Sequence, residues 1–154
     1  ATIVLKLFQL APADRAYFGR KDYQQSIVVR QMVADLNVPI GVRVCPTIRE
    51  ADGLAMRSRN VYLSPGERRR AVALSKSLRL AEQLATDGER DVATIRRLMQ
   101  QEIDAADGIK VQYIAFVADG TLTPVARIDG PTTVALAAII GNTRLIDNTL
   151  IGAG

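Results

Sequence analysis

Gly19-Arg20-Lys21-Asp22 places a glycine and two cations between a stretch with strand character and one with helical spacing. That position suits an anion. Unpaired backbone N–H groups and the dipole at a helix start attract phosphate, Gly19 lets the backbone come close, and Lys21 adds a mobile charge. The GxxxxGK[ST] spacing of a P-loop is absent. A second segment, Asp52-Gly53-Leu54-Ala55-Met56-Arg57-Ser58-Arg59-Asn60, sets two arginines and a serine hydroxyl after a glycine. A mobile loop of this kind can close over a nucleotide and offer donors to its phosphates. Taken singly, each segment also reads as a solvated surface loop; together and in this order they point to polyphosphate chemistry.

The remaining composition narrows that chemistry. The chain has 154 residues, 48% hydrophobic and 23% charged, enough for one domain or two small ones. With no histidine and a single cysteine, Cys45, it has no internal disulfide, no soft metal site, and no Ser/His/Asp or Cys/His catalytic set, so no metal ligands are expected. No apolar run reaches the roughly 20 residues of a membrane helix. Residues 1–10 lack the basic flank and cleavage site of a signal peptide, so the expectation is a cytoplasmic setting and no membrane partner. The net charge of +4 is uneven: residues 1–70 carry +6 (12 basic, 6 acidic) and residues 71–154 carry −2 (8 basic, 10 acidic). Aromatic residues make up only 5%, which speaks against the stacking platforms of a nucleic-acid surface, and no nucleic-acid partner is expected. A few cations converging on a triphosphate explain a local excess without a basic stripe.

Periodicity gives the elements that must position these segments. Ile3, Val4, Leu7 and Phe8 repeat with helical spacing, predicting a helix that ends before Pro12. Residues 15–18 read as a short strand, 19–22 as a tight loop, and 23–36 as a helix with Val28, Val29, Met32, Val33 and Leu36 on one face. Asp22 and Gln25 have the spacing of a capping box. Residues 40–44 alternate as a strand, so the first 46 residues predict part of a βαβ-type parallel sheet. Residues 47–63 show no sustained period and read as a functional loop and connection. Ser64-Pro65-Gly66-Glu67 starts a long helix that runs to about Ala85, and Asp91 caps another with Val92, Ile95, Leu98, Met99 and Ile103 on one side. Residues 110–117, 132–140 and 143–148 are strand candidates, the last two joined at Gly141-Asn142. Helices followed by paired strands predict a small α+β unit.

On these residues the chain resembles the pantoate–beta-alanine ligase family. The pattern G-x-K-D-x-Q-Q matches Gly19, Lys21, Asp22, Gln24 and Gln25; P-T-x-R-E-x-D-G-L-A-[LM]-x-S-R-N-x-Y-L matches residues 46–63; and Arg144-Leu145-Ile146-Asp147-Asn148 is similar to the family's ending. The resemblance covers the whole chain and corresponds to the C-terminal part of the enzyme, somewhat over half its usual length. It implies an α/β protein of the nucleotidyltransferase superfamily. Residues 1–46 would be the C-terminal part of a Rossmann-like ATP-binding domain, 47–63 a KMSKS-like loop and connection, and 64–154 a small α+β domain.

The same resemblance implies ATP-dependent ligation of pantoate to beta-alanine. ATP and Mg²⁺ first activate pantoate as pantoyl adenylate with loss of pyrophosphate, and the beta-alanine amine then displaces AMP. It assigns Gly19, Arg20, Lys21, Asp22, Ile48, Met56, Arg57, Ser58 and Arg59 to the ATP site, with Lys21, Ser58 and Arg59 catalytic, and Gln25 to pantoate binding. It also implies a homodimer. The chemistry suits those roles, because adenylation builds negative charge on the α-phosphate and the departing pyrophosphate, where cations lower the barrier. Gln25 offers an amide donor and a carbonyl to a hydroxy acid. The plainer roles are core packing for Ile48 and Met56 and a helix-start residue for Gln25.

Two departures from the family pattern matter. Its H-x-G-H motif cannot be present in a chain without histidine, so this chain alone is expected to be inactive. Arg57 stands where the family usually has serine, and either adds a phosphate contact or obstructs the loop. Arg20, in place of a common glutamate, reads as surface variation. The alternative from another class is a non-catalytic scaffold or dimerisation module derived from the same fold; a basic RNA-binding protein is a weaker one.

Overall fold

Proline cannot continue a helix, and the first helix, α1 (Thr2–Leu10), stops short of Pro12. The computed structural model describes residues 1–152, which divide into two compact units, Ala1–Thr47 and a second from Ile48 onward.

In the first unit, β1 (Arg15–Gly19) leads through a 3-10 turn at Arg20–Asp22 into α2 (Tyr23–Asp35), and the chain returns in β2 (Gly41–Cys45). The two strands pair in parallel, with Arg15 opposite Gly41 and Gly19 opposite Cys45, so β1, α2 and β2 form the expected βαβ arrangement. Along both strands exposed and half-buried residues alternate, and α1 buries none of its residues. The rings of Phe8 and Phe18, 6.5 Å apart and edge to face, tie α1 to β1.

Three local expectations change here. The residues read as a tight loop form a 3-10 turn. The buried side of α2 is Tyr23, Ser26, Val29 and Met32, whereas Val28 and Leu36 are exposed. Val28 lies outside the arc those four residues sweep, and Leu36 falls past the last helical turn. The capping box is also missing: Asp22 stands at the N-cap position without a side-chain hydrogen bond.

The second unit has a conventional core. Ser64 caps α3 (Pro65–Thr86) in a complete capping box with Glu67, whose carboxylate stays below the usual range because it accepts from the Ser64 hydroxyl and backbone. Asp91 caps α4 (Val92–Asp104) by accepting from Thr94 N at 2.7 Å. Three antiparallel strands follow, β3 (Ile109–Ala118), β4 (Thr132–Ile140) and β5 (Thr143–Ile151), with β4 central. Gly141, at φ +55°, makes the two-residue turn between β4 and β5. Ala71, Leu74, Leu78 and Ala81 of α3 and Ile95, Met99 and Ile103 of α4 pack against Phe116, Val134, Leu136 and Ile140 of the sheet. The alanines let α3 approach closely, and each large apolar residue buried there contributes about 1.5–3 kcal/mol. This is the support from which the loop at residues 48–63 is hung.

Candidate functional site

Extended backbone at Gly19 ends β1, and the next residues turn directly into α2. The N–H groups of the first α2 turn therefore follow immediately on Lys21 and Asp22, and the Asp22 side chain makes no cap bond to them. A Cβ at Gly19 would meet nothing within 4 Å, so the space over the turn is open. Lys21 is half-buried. Arg20 lays its guanidinium 5.8 Å from the centroid of the Tyr23 ring, a cation–π placement. Gln25 is exposed on α2 and lines a cleft of about 510 Å³ between α1 and α2, together with Gln24 and the apolar Ile3, Val4, Val28 and Val29. Apolar walls with two primary amides suit a small molecule that has both apolar and hydrogen-bonding groups.

The loop at residues 48–63 is built differently. Met56 N donates to Ile48 O at 2.9 Å and Glu50 N to Leu54 O at 2.8 Å, which closes a small antiparallel loop around Gly53. Gly53 sits at φ +89°, and a Cβ there would lie 3.3 Å from both Arg79 Nη1 and Ser75 Oγ, so this glycine is a packed turn and not a slack hinge. Arg49 forks onto Asp147 of β5, Nη1 to Oδ2 at 2.6 Å and Nη2 to Oδ1 at 3.1 Å. Arg68 of α3 bonds both Glu50 and Asp52, and Asn60 bonds Glu50. The Glu50 carboxylate is held below its ordinary range, first by the Asn60 amide and then by Arg68, while the Arg68 guanidinium is raised by Glu50 and Asp52.

With one side of the loop anchored, the other faces outward. Leu54, Ala55, Asn60 and Leu63 are buried, whereas Ser58 and Arg59, in a 3-10 turn at Ser58–Tyr62, are exposed. Ile48 is 68% exposed and Met56 54%, so neither is buried in the core of this unit. Arg57 is half-buried and donates from Nη1 to Arg144 O at 3.2 Å, which ties it to the start of β5.

Residues 1–150 match the family described as Pantoate-beta-alanine ligase. The chain belongs to that family. It is 49% identical over 150 residues to the pantothenate synthetase of Moorella thermoacetica, which covers 97% of this chain and 53% of that one, and 50% identical over 151 residues to that of Thermotoga petrophila, covering 98% and 54%. Among solved structures, it superposes on pantothenate synthetase from Thermus thermophilus with a TM-score of 0.92 at 42% identity, over 96% of this chain and 53% of the other. A pantoate-beta-alanine ligase from Francisella tularensis, described as complexed with beta-gamma ATP and beta-alanine, gives a TM-score of 0.71 at 30% identity over 99% of this chain and 49% of that one. The chain thus spans about half the length of the curated relatives it matches. The parallel βαβ arrangement and the antiparallel sheet agree with the α/β class of this ligase family.

Within the pantoate–beta-alanine ligase pattern, sequence reasoning gave no role of their own to the anchors Arg49, Glu50, Asp52, Asn60, Arg68 and Asp147. One signal was present for Asp147. It shares strand parity with the buried Leu145 and Ile151, and an acid at an inward position requires a partner. Nothing comparable marked Arg68, which sits in a run of three arginines that looks solvated.

Proposed function

We propose that this chain supplies part of an ATP-dependent ligase that joins pantoate to beta-alanine through pantoyl adenylate. The observation that carries the reading is the two-sided loop, which buries Leu54, Ala55 and Leu63 and turns Ile48 and Met56 outward beside Ser58 and Arg59. In this reading Ile48 and Met56 offer an apolar surface to adenine. Ser58 and Arg59, and separately the Arg20 and Lys21 side chains with the backbone N–H groups of Gly19, Asp22 and the α2 start, offer donors and positive charge to phosphates. Gln25 holds pantoate in the cleft between α1 and α2. The Francisella relative, with its nucleotide and beta-alanine, supports ATP and beta-alanine as ligands here too.

The steps balance as follows. A pantoate carboxylate oxygen attacks the α-phosphorus, and the bond to pyrophosphate breaks. The beta-alanine amine then attacks the acyl carbon, AMP leaves with that carboxylate oxygen, and the nitrogen loses a proton. Cations on the leaving pyrophosphate lower the first barrier, and Lys21 and Arg59 are the residues best suited to it. Among the described residues no group of three His, Cys, Asp or Glu side chains could cage a cation, and no step is routed through Mg²⁺.

The domain reading goes with this function: residues 1–46 from a Rossmann-like ATP domain, 47–63 the KMSKS-like loop, and 64–154 a small α+β domain. A homodimer belongs to the same reading. Alone, a chain without histidine lacks the phosphate contacts of H-x-G-H and should not turn over. The test uses the chain extended to its relatives' length and pantoate labelled with ¹⁸O in its carboxylate. The adenylate route transfers one label to AMP; label in inorganic phosphate, with ADP as product, would refute it.

A further inference from the structure

Arg68 lies one turn into α3, outside every residue assigned to ATP or pantoate. Its Nη2 donates to Glu50 Oε2 at 2.6 Å and its Nε to Asp52 Oδ2 at 2.8 Å, so one planar guanidinium joins two carboxylates on the same loop. The other Glu50 oxygen, Oε1, accepts from Asn60 Nδ2 at 2.6 Å, and the same amide nitrogen donates to Ala55 O at 3.0 Å. Asn60 is 3% exposed, and its backbone N–H bonds Arg57 O at 3.1 Å, closing the turn that carries Ser58 and Arg59. A continuous run of hydrogen bonds, charge-assisted as far as the Asn60 side chain, therefore leads from a capped helix to the two exposed donors.

Three features favour a fixed surface over a closing flap. Gly53, the residue that would serve as a hinge, is packed against Ser75 and Arg79. Arg49 binds Asp147 at one end of the loop, and Arg49 Nη1 also donates to Gly53 O at 3.2 Å. At the other end the buried Leu63 leads straight into the Ser64 cap of α3. Donors already in place need no reorganisation when charge develops on a phosphate.

We propose that Arg68 is a positioning residue that sets Ser58 and Arg59 in advance, so that the loop at residues 48–63 acts as a preset cationic platform for phosphate. This rests on the reading that the loop meets phosphate, and it adds how. Arginine suits the place because its rigid fork spans the two carboxylates from Nε and Nη2, a fixed spacing that the single ammonium of lysine lacks.

The test is hydrogen exchange of the Asn60 and Leu63 amides in the nucleotide-free chain, compared with Arg68→Ala, Arg68→Lys, Asp52→Asn and Arg69→Ala. Arg69, the exposed neighbour of Arg68, serves as the control. Arg68→Ala should speed exchange at both amides at least about tenfold, the loss of about 1.4 kcal/mol in local protection. Arg68→Lys should restore part of the protection, Asp52→Asn should cost less than Arg68→Ala, and Arg69→Ala should change nothing, with β4 amides protected throughout. Wild-type exchange in Arg68→Ala with β4 intact would overturn the proposal, as would equal loosening by Arg69→Ala. Should Arg68→Ala unfold the unit, Arg68→Lys and Asp52→Asn decide: exchange at the wild-type rate in both overturns it. No nucleotide enters this assay, so a negative result leaves the ligase reading standing, and failure of the oxygen-label test leaves Arg68 where it is.

Discussion

Residues 19–25 form one local run: a strand end, a 3-10 turn and the start of α2, where Asp22 at the N-cap makes no side-chain cap bond and Ser26 Oγ donates to Tyr23 O at 2.7 Å inside the helix. At residues 48–63 order comes from charged side chains that reach distant elements, Arg49 to β5 and Glu50 and Asp52 to α3. Both segments present cations outward, yet the same kind of substitution should act on them differently. Removing a cation from the turn should change chemistry and leave the fold; removing one from the loop should change the fold or the setting of its neighbours.

The largest effect expected on stability is at Arg49. Asp147 is only 4% exposed, and Arg49→Ala would leave that carboxylate buried without its forked partner. Because Arg49 itself is one-third exposed, the loss should fall at the lower end for such pairs, about 3 kcal/mol, in urea unfolding followed by circular dichroism. Lys21→Ala should cost clearly less in the same measurement. Equal losses at the two sites would break the contrast.

A smaller effect is expected within the loop. In the chain extended to its relatives' length, Arg59→Ala should lower turnover by clearly more than tenfold, whereas Arg57→Ser should stay within about tenfold, near 1.4 kcal/mol. Arg57 bonds the Arg144 carbonyl, which gives it a place in the fold apart from any phosphate. A rise in activity of orders of magnitude in Arg57→Ser would make it an obstruction instead.

Smaller again is the contrast between the two helix starts. Ser64→Ala should cost about 1 kcal/mol because it opens the capping box, while Asp22→Ala, which removes no cap bond, should be nearly silent. The same acids set the pH response. Glu50 and Glu67 lie below their usual value of 4.5 when folded, so their stabilisation is complete above about that pH and is lost as pH falls through the folded values. Acid unfolding of the second unit should therefore be flat from pH 7 to about 5 and begin below 4.5; Glu67→Gln should flatten that limb.

What could be read from sequence was local. The Ser64 box, the Asp91 cap and the bounds of β4 all depend on residues within a few positions of one another, and each appears as expected. β5 runs on to Ile151, past its expected end at Asn148, because Ile151 pairs with Thr132, and no local pattern reports such a pairing. The same limit explains the anchors: Arg49 and Asp147 are 98 residues apart, and Arg68 and Glu50 are 18 apart. Exposure of Ile48 and Met56 was illegible for another reason. Hydrophobicity predicts burial on average, and it does not say which individual apolar residues of an irregular segment turn outward.

The most direct test of the account is pantoate-dependent ATP–pyrophosphate exchange in the extended chain, with Lys21→Ala and Gln25→Ala measured for kcat and for the pantoate KM. Lys21→Ala should lower kcat about 100-fold, near 2.7 kcal/mol, with the pantoate KM little changed, because its charge acts on the transition state. Gln25→Ala should chiefly raise the pantoate KM. If Lys21→Ala raised only the pantoate KM, or left exchange untouched, the phosphate role of the turn would be wrong.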